Sequence, residues 1–95
     1  MYEMTRHYVY ILKCADGTLY AGYTTEPERR LKEHNAGIGA KYTRGRLPVR
    51  MVYTASFATR GEALKEEARI KKLTRAQKLA LISRPSSGRP RRRRG

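Results

Sequence analysis

Short runs of apolar, aromatic and β-branched residues, separated by polar residues, predict three β-strands. The runs lie at residues 8–14 (YVYILKC), 19–23 (LYAGY) and 49–57 (VRMVYTASF). Turn residues at positions 15–17 (ADG) join the first two, so we expect a β-hairpin there. In the third run every second residue is apolar or aromatic, which predicts one shared face for Met51, Tyr53, Ala55 and Phe57.

Helix start signals divide most of the remaining chain. Thr25 begins a capping box with Glu28, and Pro27 lies in the first turn, so we expect a helix with Thr25 as its N-cap that ends near residue 36. A second capping box at Thr59 opens a helix to about residue 73, and Thr74 opens a shorter one to about residue 82. Residues 37–48 (GIGAKYTRGRLP) follow no period of 2 or 3.6, which predicts a basic loop.

The resulting order, ββαβαα, predicts one α+β domain, an α/β sandwich, over residues 1–82. Residues 83–95 (SRPSSGRPRRRRG) contain no apolar side chain, so nothing offsets the entropy of ordering them, and we expect a disordered Arg-rich tail. Such a tail is either a non-specific phosphate-binding arm or a solubilising segment, and the sequence leaves both open.

Charge points to the kind of partner. The chain has 22 Lys and Arg against 8 Asp and Glu, a formal net charge of +14. The six arginines of the tail account for six of those charges, so residues 1–82 still carry +8. Because no stretch joins a basic face to a broad exposed apolar one, nucleic acid is favoured over a membrane surface.

Several other classes are excluded by composition. No run of 18 apolar residues could span a bilayer, and residues 1–7 lack the apolar centre of a secretory signal, which predicts a soluble cytoplasmic protein. A single cysteine and two histidines permit neither an internal disulfide nor a four-ligand zinc site. Any metal is therefore expected on oxygen ligands.

The helix predicted after Thr59 carries an acid close to its apolar side. At 100° per residue, the mean direction of its apolar residues places Glu67 roughly 25° from the centre of the buried arc and Glu66 about 75° away. An ionised carboxylate facing a core is costly unless a cation meets it. Glu67 is therefore either a metal ligand, a partner of a catalytic arginine, or simply an acid that pairs with Lys71 one turn later.

Other candidate residues lie on the first helix and in the hairpin. Arg30 and His34 are four residues apart and share a face, where an arginine could hold a phosphate. The alternative is a solvated face in which neighbouring basic and acidic side chains pair. Tyr10 and Tyr20 lie in the two hairpin strands, where tyrosines most often pack half-buried but can also act as bases beside a cation.

Taken together, these residues resemble a known family. Tyr8-Val9-Tyr10, nine residues, then Tyr20-Ala21-Gly22, followed by Arg30 and His34 on one helix and Glu67 on a later one, is similar to the GIY-YIG nuclease superfamily. The similarity covers residues 8 to about 79 and is greatest to the small single-domain bacterial branch. Tyr8, Val9 and Ala21 depart from the motif, at positions that are not catalytic in the family.

The resemblance implies a fold and a set of roles. The expected core is a three-stranded antiparallel sheet flanked by helices. Tyr10 would be the general base, Tyr20 would position water or phosphate, Arg30 would bind the scissile phosphate and His34 would support that site. Glu67 would be the sole protein ligand of one Mg²⁺ or Mn²⁺. This predicts a metal-dependent endonuclease, of a DNA repair type and associated with the nucleoid, that acts on DNA in preference to RNA and needs no small-molecule cofactor.

A site shared by Tyr10 and Tyr20 requires a particular register of the hairpin, which can be tested. A two-residue turn would pair Tyr20 with Lys13 and place Tyr10 and Tyr20 on opposite faces. A three-residue loop, with Gly17 in the left-handed region, pairs Tyr20 with Leu12 and places both tyrosines on one face. We predict the three-residue loop or a compensating bulge.

A different class of function uses the same surface without cleavage. A binding module would hold nucleic acid through cations that a nuclease would also use: Arg29, Lys41, Arg44, Arg46, Lys71 and Lys72. A basic ribosome-associated protein is a third interpretation. Phosphate contacts carry no base preference, so neither the substrate structure nor the oligomeric state follows from the sequence.

Overall fold

A computed structural model describes residues 5–83 of the chain and has the predicted α+β architecture. Three antiparallel strands form one sheet in the order β2-β1-β3, with helices on both faces. The elements are β1 (His7–Lys13), β2 (Leu19–Thr24), α1 (Pro27–Asn35), α2 (Lys41–Arg44), β3 (Arg50–Phe57), α3 (Arg60–Lys71) and α4 (Arg75–Ile82). The order ββαβαα is confirmed, with α2 as an added turn. The predicted tail, residues 83–95, lies outside the described residues except for Ser83, which is the C-cap of α4.

The hairpin register is the one that the shared-site hypothesis requires. Leu12 pairs with Tyr20, and the Cys14 amide donates to the Thr18 carbonyl at 2.9 Å across a three-residue loop. Gly17 has a φ of +87°, the left-handed conformation that this loop needs. Because paired residues share a face, Tyr10, two positions before Leu12, lies on the same face as Tyr20.

Strand β3 differs from its prediction at one position. Ile11 pairs with Tyr53 but Leu12 pairs with Met51, so an extra residue, Val52, is accommodated between them. This β-bulge reverses the alternation, and Met51 packs on the face opposite Tyr53. The prediction that Met51 shares a face with Tyr53, Ala55 and Phe57 is therefore wrong for Met51 alone.

The sheet separates two apolar clusters. The cluster beneath α3, which we call the α3 face, buries Val9, Ile11, Ala21, Ala63 and Ile70. The cluster beneath α1, the α1 face, buries Tyr10, Leu12, Cys14 and Val49 and packs against Leu31. Alternation along β1 sends Val9 and Ile11 to one face and Tyr10 and Leu12 to the other, so the central strand is covered on both sides.

Helix α1 starts one residue later than predicted. Its N-cap is Glu26, which makes no side-chain capping bond, and Pro27 is the first helical residue. Thr25 could be the N-cap only if Glu26 were helical, and a residue before proline disfavours the helical region. The capping box predicted at Thr59 is confirmed, and α4 begins after Thr74 as predicted, where Thr74 and Gln77 form a further capping box.

The segment predicted as a basic loop contains the single turn α2. Thr43 in this turn is fully buried and its hydroxyl donates to the Ala40 carbonyl at 2.9 Å. One turn is too short to show a period, and burial of one side chain stabilises it instead. Within residues 5–83 no helix has the length and apolar character needed to cross a bilayer.

Candidate active site over strand β2

Tyr10 lies flat across strand β2 because a glycine lies beneath it. Tyr10 pairs with Gly22 and is 1% exposed. A Cβ atom built on Gly22 would overlap the Tyr10 hydroxyl and the ring carbon that bears it. The glycine thus brings the hydroxyl of a residue in the central strand out over the edge strand of the sheet.

His34 of α1 meets that hydroxyl. Its Nε2 lies 3.0 Å from the Tyr10 Oη, and its side chain is fully buried. A second glycine makes the space, since a Cβ on Gly39 would lie 2.5 Å from the His34 Nδ1. The prediction that His34 supports the site now has a geometric basis, a buried hydrogen bond to Tyr10.

Thr43 indicates which nitrogen of His34 carries the proton. Its Oγ1 lies 3.0 Å from the His34 Nδ1 and 2.9 Å from the Ala40 carbonyl, and a hydroxyl that donates its only hydrogen to that carbonyl accepts from a protonated Nδ1. The Ala40 amide also points at Nδ1, but at 3.4 Å this contact is longer than a typical hydrogen bond and weaker than the other two. Nε2 is then unprotonated and accepts the Tyr10 hydroxyl.

Arg30 lies beside the same pair. Its side chain is 32% exposed and binds Glu33 at 2.8 Å, while Arg29 binds Glu33 at 3.3 Å and Glu26 at 3.4 Å. The alternative interpretation of this helix as a face of paired charges is therefore realised for Arg29. Arg30 also pairs with Glu33, but its guanidinium is in addition close enough to Tyr10 to lower the pKa of the Tyr10 hydroxyl.

Burial keeps both members of the Tyr10–His34 pair neutral in the free protein. Burial raises the pKa of Tyr10, and the charges of Tyr20 and Glu67 act in the same direction against Arg30. Burial also lowers the pKa of His34, with the positive charge of Arg30 as the second cause and Glu33 opposing both. The hydroxyl is therefore protonated and the imidazole uncharged near neutral pH.

Glu67 approaches from the opposite face of the sheet. Its side chain is 19% exposed and lies 3.1 Å from the Lys71 Nζ, so the predicted helix pair exists. Its charge nevertheless acts on the pKa of Tyr10, which places it in the electrostatic surroundings of that hydroxyl. Charges from both faces of the sheet thus act on the Tyr10 hydroxyl.

The expected difference between Glu67 and Glu66 is wrong. Glu66, at 21%, is as enclosed as Glu67, and it binds Arg69. Leu64 and Ala68 are exposed, so the buried stripe of α3 is narrow and centred between Ala63 and Ile70. A narrow stripe leaves the two acids flanking it at similar angles.

Aromatic rings extend from this site to the surface. Tyr20 lies edge-on to His34 at 5.7 Å and stacks on Tyr42 at 5.6 Å between ring centroids. The Arg46 guanidinium lies over the Tyr42 ring at 4.2 Å and also binds Asp16 at 3.1 Å. Arg46 is therefore held in place by the protein itself.

The six cations proposed for nucleic acid divide into two groups. Arg29, Arg46 and Lys71 are engaged in ion pairs. Lys41, Arg44 and Lys72 are exposed and form no side-chain hydrogen bond or ion pair with any residue from 5 to 83. The second group is free to meet a phosphate.

The carboxylates of the site suit a metal that keeps most of its own ligands. Among the described residues no three His, Cys, Asp or Glu side chains converge on one point. Mg²⁺ commonly retains several waters and is held by one or two carboxylates together with substrate phosphates. A single carboxylate such as Glu67 fits that mode of binding.

Four residues of the site carried little signal in the sequence. Gly39, Tyr42 and Thr43 lie in the segment predicted as a loop, and the role of Gly22 beneath Tyr10 shows only in three dimensions. For the loop residues the available signal was the pair of glycines around Ile38, since closely spaced glycines mark places where the backbone is crowded or turned.

Comparison with known proteins gives a consistent result. A family model described as the GIY-YIG catalytic domain matches residues 6–80. A UPF0213 protein of Halobacterium salinarum is 60% identical over 80% of this chain and 99% of the relative, and one of Enterococcus faecalis is 65% identical over 76% and 84%. The solution NMR structure of a UPF0213 protein from Bacillus halodurans is 52% identical, covers 82% of this chain and 83% of that one, and superposes with a TM-score of 0.55.

Proposed function

Because the chain belongs to the GIY-YIG catalytic domain family, a nuclease superfamily whose members generally depend on divalent metals, we propose that it is itself a metal-dependent endonuclease. Its substrate would be the phosphodiester backbone of DNA in preference to RNA. The basic surface favours a polyanion, and a role in DNA repair near the nucleoid is part of the same proposal.

One observation carries this proposal. The Tyr10 hydroxyl is hydrogen-bonded to His34 at 3.0 Å, and its pKa responds to Arg30, Tyr20 and Glu67. These side chains come from β1, β2, α1 and α3, and a purely structural tyrosine needs no such convergence. Two glycines that leave room only for these rings support the same interpretation.

Tyr10 would act as the general base with His34 as its proton acceptor. As the water oxygen bonds to phosphorus, a water proton passes to the Tyr10 oxygen while the hydroxyl proton moves to the His34 Nε2. The bond from phosphorus to the leaving oxygen breaks, and that oxygen takes a proton from solvent. A phosphate bound to Arg30 would offset the positive charge that helps to lower the pKa of His34, which eases this transfer.

The remaining residues would bind and orient the phosphate. Arg30 would offer its planar donors to the phosphate oxygens, and Tyr20 would position the water or phosphate. Glu67 would hold one Mg²⁺ or Mn²⁺, which when bound supplies charge neutralisation at the reacting phosphate. Lys41, Arg44 and Lys72 are free for flanking phosphates, while Arg29, Arg46 and Lys71 would first have to exchange their protein partners.

A binding module without turnover is the second candidate, and two observations favour it. Glu67 is paired with Lys71, and burial raises the pKa of Tyr10 and so opposes its use as a base. In that case the same surface would hold nucleic acid and Glu67 would only stabilise α3.

The test compares Glu67→Gln with Glu66→Gln, a neighbouring acid of nearly equal exposure that also pairs within the helix. Cleavage would be followed on plasmid, single strand, flap, junction and RNA, with Mg²⁺, Mn²⁺ or EDTA at fixed salt. We expect Glu67→Gln to lose about 100-fold or more in rate while binding persists, and Glu66→Gln to stay close to wild type. Equal effects of the two changes, or a wild type that is inert on every substrate, support the binding module.

A further inference from the structure

Exposed apolar side chains are concentrated beside the candidate site. Among the described residues the large exposed hydrophobics are Ile38 at 69%, Tyr42 at 41%, Leu79 at 39% and Leu64 at 37%. The two leucines lie apart on α4 and α3. Ile38 and Tyr42 are four residues apart in the segment that leads from α1 through α2, so this segment presents the most apolar surface near the site.

The backbone holds Ile38 outward. Gly37 has a φ of +81°, which other residues rarely adopt, and Gly39 has no room for a Cβ because of His34. The Ile38 amide donates to the Glu33 carbonyl at 3.1 Å, which ties the residue to the end of α1. The Ile38 side chain is therefore held outward by a constrained backbone. It is also the most exposed large hydrophobic side chain among the described residues.

Ile38 is connected to the reacting groups through its neighbour in the chain. Gly39, the next residue, is packed against the His34 ring, and His34 holds the Tyr10 hydroxyl. Tyr42 is joined to the same site through its stack on Tyr20. A strand whose phosphate lies at Tyr10 and Arg30 and that continues along this segment would meet both exposed side chains.

The surrounding charges identify the class of ligand. Lys41 and Arg44 flank Tyr42, are exposed, and have no side-chain partner among residues 5–83. Arg46 lies on the Tyr42 ring. Unpaired cations interleaved with an aromatic ring are the pattern of surfaces that bind exposed nucleobases, and isoleucine is among the residues that wedge between base steps.

We propose that Ile38 and Tyr42 contact nucleobases next to the scissile phosphate, so that the preferred substrate is a strand that is locally unpaired. Ile38 enters a base step, and Tyr42, whose ring already packs against Tyr20 and Arg46, contacts a displaced base through its exposed edge. A fully paired duplex must first be unstacked, whereas a single strand or a mismatch needs less of that work. The location of the phosphate in this inference rests on the function proposed above.

The test measures binding, so that it does not depend on turnover. Labelled oligonucleotides of one sequence, as single strand, duplex with a central mismatch and perfect duplex, are titrated in EDTA at fixed salt and followed by fluorescence anisotropy. Wild type is expected to bind the two unpaired forms about 10- to 100-fold more tightly than the perfect duplex. Ile38→Ala is expected to reduce that preference to about threefold or less, with duplex affinity unchanged.

Two matched variants control for the loss of an exposed apolar side chain. Leu64→Ala and Leu79→Ala remove leucines of 37% and 39% exposure outside the segment and should keep the full preference. A 2-aminopurine at the mismatch should brighten on binding wild type and brighten less with Ile38→Ala. Thermal unfolding of all variants checks that each is folded.

The outcomes separate this inference from the nuclease proposal. Equal wild-type affinity for the three oligonucleotides, or an Ile38→Ala protein that behaves like the leucine controls, overturns the nucleobase contact even if cleavage occurs. A retained preference in a protein that cleaves nothing leaves the contact standing and rejects turnover. Failure to bind any nucleic acid at low salt rejects both and indicates a different partner for the exposed segment.

Discussion

The two faces of the sheet bury different kinds of side chain. The α3 face encloses aliphatic residues, such as Val9, Ile11 and Ile70, that need no partner. The α1 face encloses the Tyr10 hydroxyl together with His34 and Thr43, which are the buried polar residues of the part of the chain that the structure describes. The α3 face stabilises the domain through apolar burial. The α1 face loses part of that stabilisation because it also buries a polar network.

That difference has a physical consequence for each face. An apolar core tolerates loss of a side chain at the cost of a cavity, and its effect on the site is indirect. A buried polar network requires every donor and acceptor to be satisfied, so one lost hydroxyl affects the orientation of its neighbours as well as stability. Substitutions on each face should separate these two responses.

The largest change in stability is expected on the α3 face. Ile70 is fully buried, and Ile70→Ala should lower the free energy of unfolding by about 2–5 kcal/mol, a large fraction of the stability of a domain this size. A shift of the urea midpoint at unchanged m-value measures it. Leu64→Ala on the same helix, at 37% exposure, should change stability by about 0.5 kcal/mol or less.

Cleavage by the folded fraction of Ile70→Ala, measured well below its midpoint, is expected to equal that of wild type. A protein that is fully folded but inactive would contradict the separation of the two faces, because it would show that the apolar cluster positions Glu67 through α3.

The extent to which sequence predicted this molecule follows the same division. The hairpin, its three-residue loop and the shared face of Tyr10 and Tyr20 followed from short-range rules, because loop length fixes register. The capping box at Thr59 and the helix start at Thr74 are equally local. These features depend on residues that are close in the chain.

The features that sequence missed depend on contacts between distant segments. The bulge at Val52 arises where β3 pairs with β1, and the alternation of apolar and polar residues along β3 does not predict it. Thr43 is found only through its contact with His34, nine residues away. The similar enclosure of Glu66 and Glu67 results from the narrow contact of α3 with the sheet, which helix angles alone do not give.

A smaller loss of stability with a distinct signature is expected on the α1 face. Thr43→Val keeps the shape of the side chain but removes the hydroxyl, so the His34 Nδ1 loses its partner at 3.0 Å, while the Ala40 carbonyl keeps the Thr43 amide at 3.1 Å. We expect a loss of about 1–3 kcal/mol. The ¹⁵N chemical shifts of the His34 ring should move toward a mixture of tautomers, because the group that fixed the proton on Nδ1 is gone.

Thr43→Ser is the matched control, since it retains the hydroxyl and loses one methyl group. It should keep the wild-type tautomer and most of the cleavage rate, whereas Thr43→Val should lose more rate than its stability explains. Identical ring shifts in wild type and Thr43→Val would show that Thr43 does not set the tautomer.

The smallest expected effect is a dependence of stability on pH that originates in the same network. Burial lowers the pKa of His34 in the folded chain, helped by Arg30 and opposed by Glu33, so the unfolded chain takes up a proton more readily. Stability from the neutral ring is therefore complete above the unfolded pKa of about 6.5 and declines as the pH falls below it. One proton limits the slope to about 1.4 kcal/mol per pH unit.

Urea unfolding of wild type and variants between pH 7.5 and 5.5 follows this contribution above the range in which the carboxylates of lowered pKa, Asp16 and Glu33, titrate. In His34→Gln, which does not titrate, the decline over that window should be shallower than in wild type, whatever the absolute stability of the variant. Arg30→Gln should also make the decline in stability shallower, because the positive charge that helps to lower the pKa of His34 is then absent. Parallel curves of stability against pH for the three proteins would mean that burial of His34 on the α1 face does not make stability depend on pH. The two faces would then differ only in the shape of the side chains that they bury.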